Sequence, residues 1–243
     1  MTHIAHPYVQ RLGIIRDWRS RWFPSSPKAY REYLRADSTV RRFLMKRLRT
    51  MYVASVDIER DQKIMRIIVR TSRPGLIIGR SGEGAVALKK EIDILLRKLK
   101  LSEKPEIKLD IEEVRSPEAS AAIVAMMLAE GLEKRMTFRR VMKQTIEKVM
   151  ANRDVLGVRI VLSGRLGGAD MGRTEELKKG RIPLQTLRAD IDFAREKAYL
   201  PYGVIGVKVW IYKGDIFADR TANTEKKEEA PRTPSRRPSS RSN

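Results

Sequence analysis

A glycine-punctuated turn at residues 72–85 constrains the fold most, because it joins an alternating apolar pattern to a long amphipathic helical pattern. Gly79 and Gly82 bracket Arg80 and Ser81. A residue without a side chain at each end lets a second backbone approach closely and leaves positive φ accessible. This GXXG spacing is typical of turns that hold a nucleotide backbone. We therefore interpret residues 79–82 as a clamp for an anionic chain.

Two other interpretations of the glycines stay open at this point. GXXG spacing occurs by chance in many proteins. Residues 82–87 also fit the dinucleotide fingerprint G-x-G-x-x-A, which requires a strand directly before its first glycine. Here residues 73–79 intervene between the strand pattern and Gly82, so the surrounding elements have to decide between these interpretations.

Hydrophobic periodicity supplies those elements. Pro7, Pro24 and Pro27 interrupt the first part of the chain, and a helical pattern begins at Ser38. Alternating apolar and polar residues predict strands at 54–58 and 65–69, joined at 60–62, and a third strand at 107–111. Between them, apolar residues recur at helical spacing from Ala85 to Leu99.

The order helix, strand, strand, short helix, GXXG, helix, strand resembles the prokaryotic type II KH domain. The resemblance implies an α+β domain over residues 17–114, with a three-stranded sheet that is covered by helices, preceded by a basic arm at residues 1–16. It also implies binding of RNA or single-stranded DNA at the clamp. Within the first fifty residues, aromatic residues are interleaved with arginines and suit either base stacking or anchoring on the domain surface. They are Trp18, Trp22, Phe23, Tyr30 and Tyr33.

Composition points to a polyanionic partner. The 243 residues carry a formal net charge of +21, and 42% of them are hydrophobic, which is enough for one or two cores. An anionic membrane would call for an amphipathic anchor or a lipidation motif, and neither is visible. The longest apolar run, at residues 119–129, is shorter than the roughly twenty residues that a membrane span requires. The start lacks the pattern of a secretory signal, and there is no cysteine. We expect a cytoplasmic protein that binds nucleic acid.

Two helices are predicted in the second half, at 119–136 and 138–150. In the later one, the apolar residues share one arc, and Arg139, Arg140 and Lys143 lie on the opposite side. Lys134 and Arg135 extend this cluster, and we expect no nearby acid to neutralise it. Simple solvation is the usual explanation of a charged helix face, and a phosphate-binding face is the alternative that the unneutralised charge favours.

Strand patterns at 158–162, 181–187, 189–195 and 205–211 predict a mixed four-stranded sheet that carries the two helices. This second α/β domain covers residues 115–217. A glycine-rich basic loop at 163–173 follows the first of these strands and lacks the P-loop pattern. The low-complexity tail at residues 218–243 is predicted to be disordered.

No constellation for catalysis or metal binding emerges. Asp190 and Asp192 share one strand face, and we expect ion pairs with Arg188 and Arg195 rather than a magnesium site. His3 and His6 lie in the arm, with no nucleophile or second ligand placed by spacing. We therefore expect neither an enzyme nor a cofactor.

Five sequence blocks together resemble bacterial ribosomal protein S three of the small subunit. They are residues 11–18, 73–79, 163–169, 187–192 and 202–210. The resemblance implies a KH domain followed by a family-specific C-terminal domain, bound to rRNA in the head of the small subunit and lining the mRNA entrance. It also implies that Arg139, Arg140 and Lys143 match a basic helix that assists mRNA unwinding.

The expected partners are small-subunit rRNA, mRNA and ribosomal proteins S ten and S fourteen, with S four and S five nearby at the entrance. The expected RNA contacts are Gly79, Arg80, Ser81 and Gly82 in the clamp, and Arg11, Arg16, Arg165 and Arg173 outside it. A free KH protein acting in transcription or RNA turnover is the rival hypothesis, because it would share the clamp but not the C-terminal blocks.

Overall fold

Two four-stranded sheets, each with helices on one face, organise the chain. The structure is a computed structural model, and it describes residues 5–61, 63–99 and 105–217. The predicted disorder of residues 218–243 falls outside the described residues, as do residues 1–4 of the predicted arm.

The first sheet holds the strands β1 (Ser20–Arg21), β2 (Val53–Arg60), β3 (Ile64–Thr71) and β4 (Glu106–Glu113), in that order across the sheet. The three predicted strands are confirmed. The two-residue edge strand β1 is an addition that is too short for a periodicity to reveal. Strands β2 and β3 are antiparallel, whereas β1 pairs with β2, and β3 with β4, in parallel.

Helices α2 (Pro27–Arg47), α3 (Pro74–Ile78) and α4 (Glu83–Lys98) accompany this sheet. Helix α2 begins eleven residues before the predicted Ser38, because Pro27 occupies the first turn, where its missing N–H costs nothing, and the Ser26 side chain accepts a hydrogen bond from the Ala29 N–H. Apolar residues at helical spacing in α2 and α4 form one core with the sheet. They are Ala36, Val40, Leu44, Leu88, Ile92 and Leu96.

The second sheet holds β5 (Gly157–Gly164), β6 (Arg173–Gly180), β7 (Ala189–Leu200) and β8 (Gly203–Asp215) in the order β6-β5-β8-β7. Helices α5 (Ala121–Glu133) and α6 (Phe138–Ala151) cover one face, as predicted. The expected mixed pairing is wrong: every pairing in this sheet is antiparallel. Short connections join β5 to β6 and β7 to β8, and such connections can link only antiparallel neighbours.

One strand was placed wrongly from the sequence. The sequence pattern predicts a strand at residues 181–187, but these residues lie in an irregular connection, and the strand is β6, immediately before them. The sequence of β6 is strongly charged, as an edge strand allows. In the connection, Pro183 removes a backbone donor that a strand would use.

The first described residues are folded onto the second sheet rather than extending freely as an arm. A short helix, α1 (Pro7–Gln10), lies against β7, and its Pro7 is buried. The segment covers the sheet face opposite to α5 and α6, where Val161, Ile191 and Trp210 form a second apolar cluster. Among the described residues, no helix is long and apolar enough to cross a membrane.

Candidate nucleic-acid interface

The clamp consists of the end of α3, four residues of turn and the start of α4. Gly79 has φ 71°, Ser81 has φ 52° and Gly82 has φ 82°. Three positive φ values within four residues turn the chain sharply and leave Arg80 and Ser81 exposed at the tip. The side chains of Leu76 and Ile78 are also exposed beside the turn, at 56% and 39%, whereas Ile77 is buried in the core. The clamp therefore combines an exposed backbone, one cation and an apolar rim.

Glycine 84 has a packing role that explains the dinucleotide-like spacing. A Cβ at Gly84 would lie 2.5 Å from the Ile77 carbonyl oxygen and 2.9 Å from that of Ile78. Helix α3 therefore rests directly on the backbone of α4. Because α3, and not a strand, precedes Gly82, the dinucleotide interpretation is excluded.

Helix α6 has one buried apolar face and one exposed cationic face. Val141, Met142, Ile146 and Val149 are buried against the second sheet. Arg139, Arg140 and Lys143 are exposed. Their placement on one outward face agrees with the helical periodicity.

The expected absence of nearby acids is wrong for two of the cations. Glu175, on β6, lies 4.0 Å from Arg139 and 3.4 Å from Arg173, and Glu130 lies 2.5 Å from Lys134. Among the described residues, no carboxylate is paired with Arg140 or Lys143. The unneutralised part of the face is therefore smaller than predicted and centres on these two residues.

Phe138 connects α6 to the edge strand β6. The guanidinium carbons of Arg139 and Arg173 each lie 5.6 Å from the centroid of its ring. The fold therefore brings together Arg173, from the predicted RNA-binding set, and the cations of α6. The side chain of Arg173 is 50% exposed and that of Arg139 is 72% exposed, so both can reach an external anion.

Arg165 stabilises the glycine-rich loop from inside. Its guanidinium donates to the carbonyls of Ala169 and Tyr202 and pairs with Asp170 at 3.2 Å. The side chain remains 42% exposed. Arg165 therefore holds the loop closed while it still presents one side to solvent.

Arg11 is a correction to the predicted RNA-binding set. Its side chain has no exposed surface, and it donates hydrogen bonds to the carbonyls of Pro7, Leu184, Thr186 and Ala189. A guanidinium enclosed in this way cannot contact RNA. Burial also lowers its pKa from the ordinary value, and the nearby Asp190 carboxylate opposes that effect.

Arg16 is likewise engaged within the protein. It donates to the Asp190 carboxylate at 2.6 Å, and its side chain is 26% exposed. The prediction that Asp190 forms an ion pair is confirmed, but its partner is Arg16 and not Arg188 or Arg195. Asp192 accepts a hydrogen bond from the Ala121 N–H at the start of α5, and Arg188 lies 3.5 Å from Asp215.

Comparisons with known proteins match both halves of the chain. A family profile described as "KH domain" matches residues 39–119, and one described as "Ribosomal protein S3, C-terminal domain" matches residues 128–211. The small ribosomal subunit protein uS3 of Caldicellulosiruptor bescii is 46% identical over 226 residues, which cover 93% of this chain and 98% of the relative. The proteins of the same name from Clostridium novyi and Xanthomonas euvesicatoria are 42% and 40% identical, and cover 93% and 96% of this chain and 98% and 91% of their own lengths. The chain belongs to the uS3 family.

Membership of the uS3 family makes this chain a ribosomal protein of the small subunit with a KH domain, which implies RNA binding. The relatives are structural proteins of the ribosome and not enzymes. Within the part of the chain that the structure describes, no group of three or more His, Cys, Asp or Glu side chains could hold a metal ion.

The aromatic residues near the start of this uS3 family member divide into two groups. Trp22 packs against Tyr30 and Tyr33, and its ring N–H donates to Asp37 at 2.6 Å, so it anchors the segment. Trp18 and Phe23 are 61% and 94% exposed and remain available for stacking.

Sequence reasoning missed residues that act across elements. Glu175 was hidden because the strand that carries it was not predicted. Arg19 and Arg195 line a cavity at the junction of the two sheets. The alternation of the strand already indicates that Arg195 does not pair with Asp192, since residues 192 and 195 point to opposite faces of the sheet.

Proposed function

We propose that this chain binds rRNA in the head of the small subunit and holds mRNA at the entrance channel, where it assists positioning and unwinding of the message. The observation that carries the mRNA part is the exposed pair Arg140 and Lys143 on α6. Neither has a carboxylate partner among the described residues, and the buried face of α6 fixes their position.

A rigid row of cations suits this task physically. Each phosphate that is neutralised by Arg or Lys releases condensed counterions, which favours binding without reading the base sequence. A helix fixed by its core face does not swing with the strand. When the ribosome pulls the message forward, phosphates held in this way resist re-annealing of a duplex, and the protein itself performs no chemistry.

Contact with rRNA is proposed for the clamp and the exposed arginines. Gly79, Arg80, Ser81 and Gly82 form an exposed turn that admits a nucleotide backbone, and Arg165 and Arg173 remain half-exposed on the second domain. Ribosomal proteins S ten and S fourteen, with S four and S five near the entrance, complete the proposed surroundings in a cytoplasmic ribosome.

Binding of messages of two lengths to purified small subunits tests the proposal. One message ends before the entrance channel and the other extends beyond it. Subunits carrying Arg140→Ala and Lys143→Ala should lose affinity for the longer message only. The salt dependence of that affinity should weaken by roughly 0.7 in log–log slope for each lost phosphate contact.

The matched control removes two exposed cations from α2 by Arg31→Ala and Arg42→Ala, which change the net charge equally. These subunits should bind both messages as the wild type does. The proposal fails if the control subunits lose as much affinity for the longer message. It also fails if the Arg140→Ala and Lys143→Ala subunits bind that message as tightly as the wild type does. Either result would assign Arg140 and Lys143 to solvation or rRNA contact.

A further inference from the structure

A cavity of about 410 Å³ lies at the junction of the two sheets. Its wall is built from the α1 segment, α2, β2, α5 and β7, so both halves of the chain contribute to it. The volume falls within the range of sites for small organic ligands, about 300 to 1,000 Å³. None of the proposed mRNA-binding or clamp residues lines it.

Two arginines in this wall have no acidic partner within the described residues. The guanidinium of Arg19 lies 4.8 Å from the ring centroid of Tyr8, and that of Arg195 lies 5.9 Å from the ring centroid of Phe193. The cavity does contain Glu196, but this carboxylate lies 3.8 Å from Arg49. The wall therefore carries excess positive charge.

A third cation adds positive charge at the Arg195 end of the cavity. Lys208 lies directly opposite Arg195 on the neighbouring strand, and like charges placed opposite each other destabilise a sheet. Both residues line a smaller adjoining cavity of about 70 Å³ together with His6, Phe193 and Trp210. An anion bound between Arg195 and Lys208 would relieve this repulsion.

His6 lies between the two cavities and lines both of them. Its ring contacts Phe193 edge-on with centroids 4.8 Å apart, and its Nδ1 atom is buried with no hydrogen-bond partner in the described structure. Such an atom is a ready partner for an oxygen of a bound anion.

The remaining wall is apolar. Met45, Ala54, Ala122, Ala125 and Met126 form it, and Tyr8 and Phe193 add aromatic surface. Aromatic and methionine side chains accept planar bases by stacking and by adaptable contact. The ligand that matches both ends carries an anionic group and a planar ring on one small molecule.

We propose that this cleft binds one 5′-nucleotide, with its phosphate between Arg19, Arg195 and Lys208 and its base against the apolar wall. A free nucleotide and a single nucleotide turned out of an RNA strand present the same chemistry. The proposal goes beyond the mRNA function and stands independently of it, because it uses neither α6 nor the clamp.

The imidazole of His6 provides a direct probe. The chain has two histidines, so a His3→Gln background leaves His6 as the single histidine signal in proton NMR of the full chain. The probes are adenosine 5′-monophosphate, adenosine, inorganic phosphate and a short single-stranded RNA. The monophosphate should shift the His6 signal saturably, and phosphate alone or adenosine alone should bind more weakly.

Variants separate the cleft from general anion binding. Arg195→Ala should weaken binding of the monophosphate at least about tenfold, as expected for a lost hydrogen bond between charged groups. Ala122→Phe should block the cleft while it leaves every charge in place. Arg153→Ala, which removes an exposed arginine elsewhere, should leave binding unchanged.

A response to the free monophosphate supports a site open to free nucleotides, and a response to the RNA alone supports an everted RNA nucleotide. In either case Arg195→Ala should weaken the response and Ala122→Phe should abolish it. The proposal is overturned if no probe moves the His6 signal or if these two variants bind as the wild type does. It is also overturned if inorganic phosphate binds as tightly as the monophosphate, since the site would then hold an anion only.

Discussion

At the scale of single residues, Arg11 and Arg140 show how the fold gives one residue type two different tasks. Arg11 is buried and satisfies four backbone carbonyls, three of them in residues 184–189. Arg140 is exposed, without a carboxylate partner in the described structure. Removing the first should affect stability, and removing the second should affect RNA binding.

Replacement of Arg11 by Ala should lower the free energy of unfolding by about 2 to 4 kcal/mol, because the carbonyls would stay buried without donors. The salt dependence of RNA binding should not change under conditions where the variant is folded. Urea unfolding and binding measured at several salt concentrations check both points. Arg80→Ala is the control, with a stability change within about 0.5 kcal/mol. An unchanged stability and a reduced salt slope for Arg11→Ala would restore Arg11 to the RNA-binding set.

The pH dependence of stability should include a contribution from His6. Burial lowers the pKa of His6 below its ordinary value of 6.5, and the charges of Arg195 and Arg19 lower it further. The folded state therefore disfavours the protonated imidazole, and stability should fall as the pH decreases from 6.5 through the folded-state pKa. Urea unfolding between about pH 7.5 and pH 5 should show a shallower loss for His6→Gln than for the wild type. Identical pH profiles for His6→Gln and the wild type would show that His6 does not contribute to the pH dependence of stability.

At the scale of elements, the clamp depends on how closely α3 can approach α4. Gly84 permits that approach, because the Ile77 carbonyl occupies the space that a side chain would need. Gly75, inside α3, has open space around it and no positive φ. The two glycines therefore make a matched pair for substitution.

Gly84→Ala should destabilise the protein by about 1 to 3 kcal/mol and weaken single-stranded RNA binding, because α3 and the turn must move away from α4. Gly75→Ala should be neutral or stabilising by up to about 1 kcal/mol, since alanine favours the helix. Urea unfolding together with RNA titration distinguishes the two. Equal effects of both substitutions would show that the clamp does not depend on the close approach of α3 and α4.

The elements that the sequence predicted well are those whose own periodicity is strong. Strands β2, β3 and β8 alternate clearly, and α4 and α6 carry continuous apolar stripes. Strand β6 was missed because, at a sheet edge, its charged residues face solvent and carry almost no apolar signal. Partners that depend on tertiary packing, such as Arg11 with the connection before β7, have no local signal in the sequence.

At the scale of the whole molecule, Arg49 joins the two halves. It donates to Glu133, at the end of α5, at 2.7 Å, and to the carbonyl of Lys197, and its guanidinium stacks on Tyr199 at 4.8 Å. The hydroxyl of Tyr52 donates to the Glu130 carboxylate nearby. Since Glu133 lies shortly before α6, these contacts fix the basic helix relative to the KH half.

Arg49→Ala should lower the free energy of unfolding by only about 1 kcal/mol, because the ion pair with Glu133 is partly exposed and is screened by solvent. It should also weaken the coupling between the halves. Unfolding followed by tryptophan fluorescence, from Trp18 and Trp22 in the first half and Trp210 in the second, should then no longer coincide with unfolding followed by circular dichroism. Coincident transitions in the variant would show that other contacts hold the halves together.

We expect that the cationic face of α6 holds the incoming message without contributing chemistry or stability, whereas the buried face of α6 belongs to the core. Translation by ribosomes that carry Arg139→Ala, Arg140→Ala and Lys143→Ala together tests it most directly, with one unstructured message and one message that has a stable hairpin downstream. We expect assembly and near-normal rates on the unstructured message, because each exposed substitution costs within about 0.5 kcal/mol, and a clear slowing at the hairpin. Equal rates for variant and wild type on the hairpin message would contradict the claim.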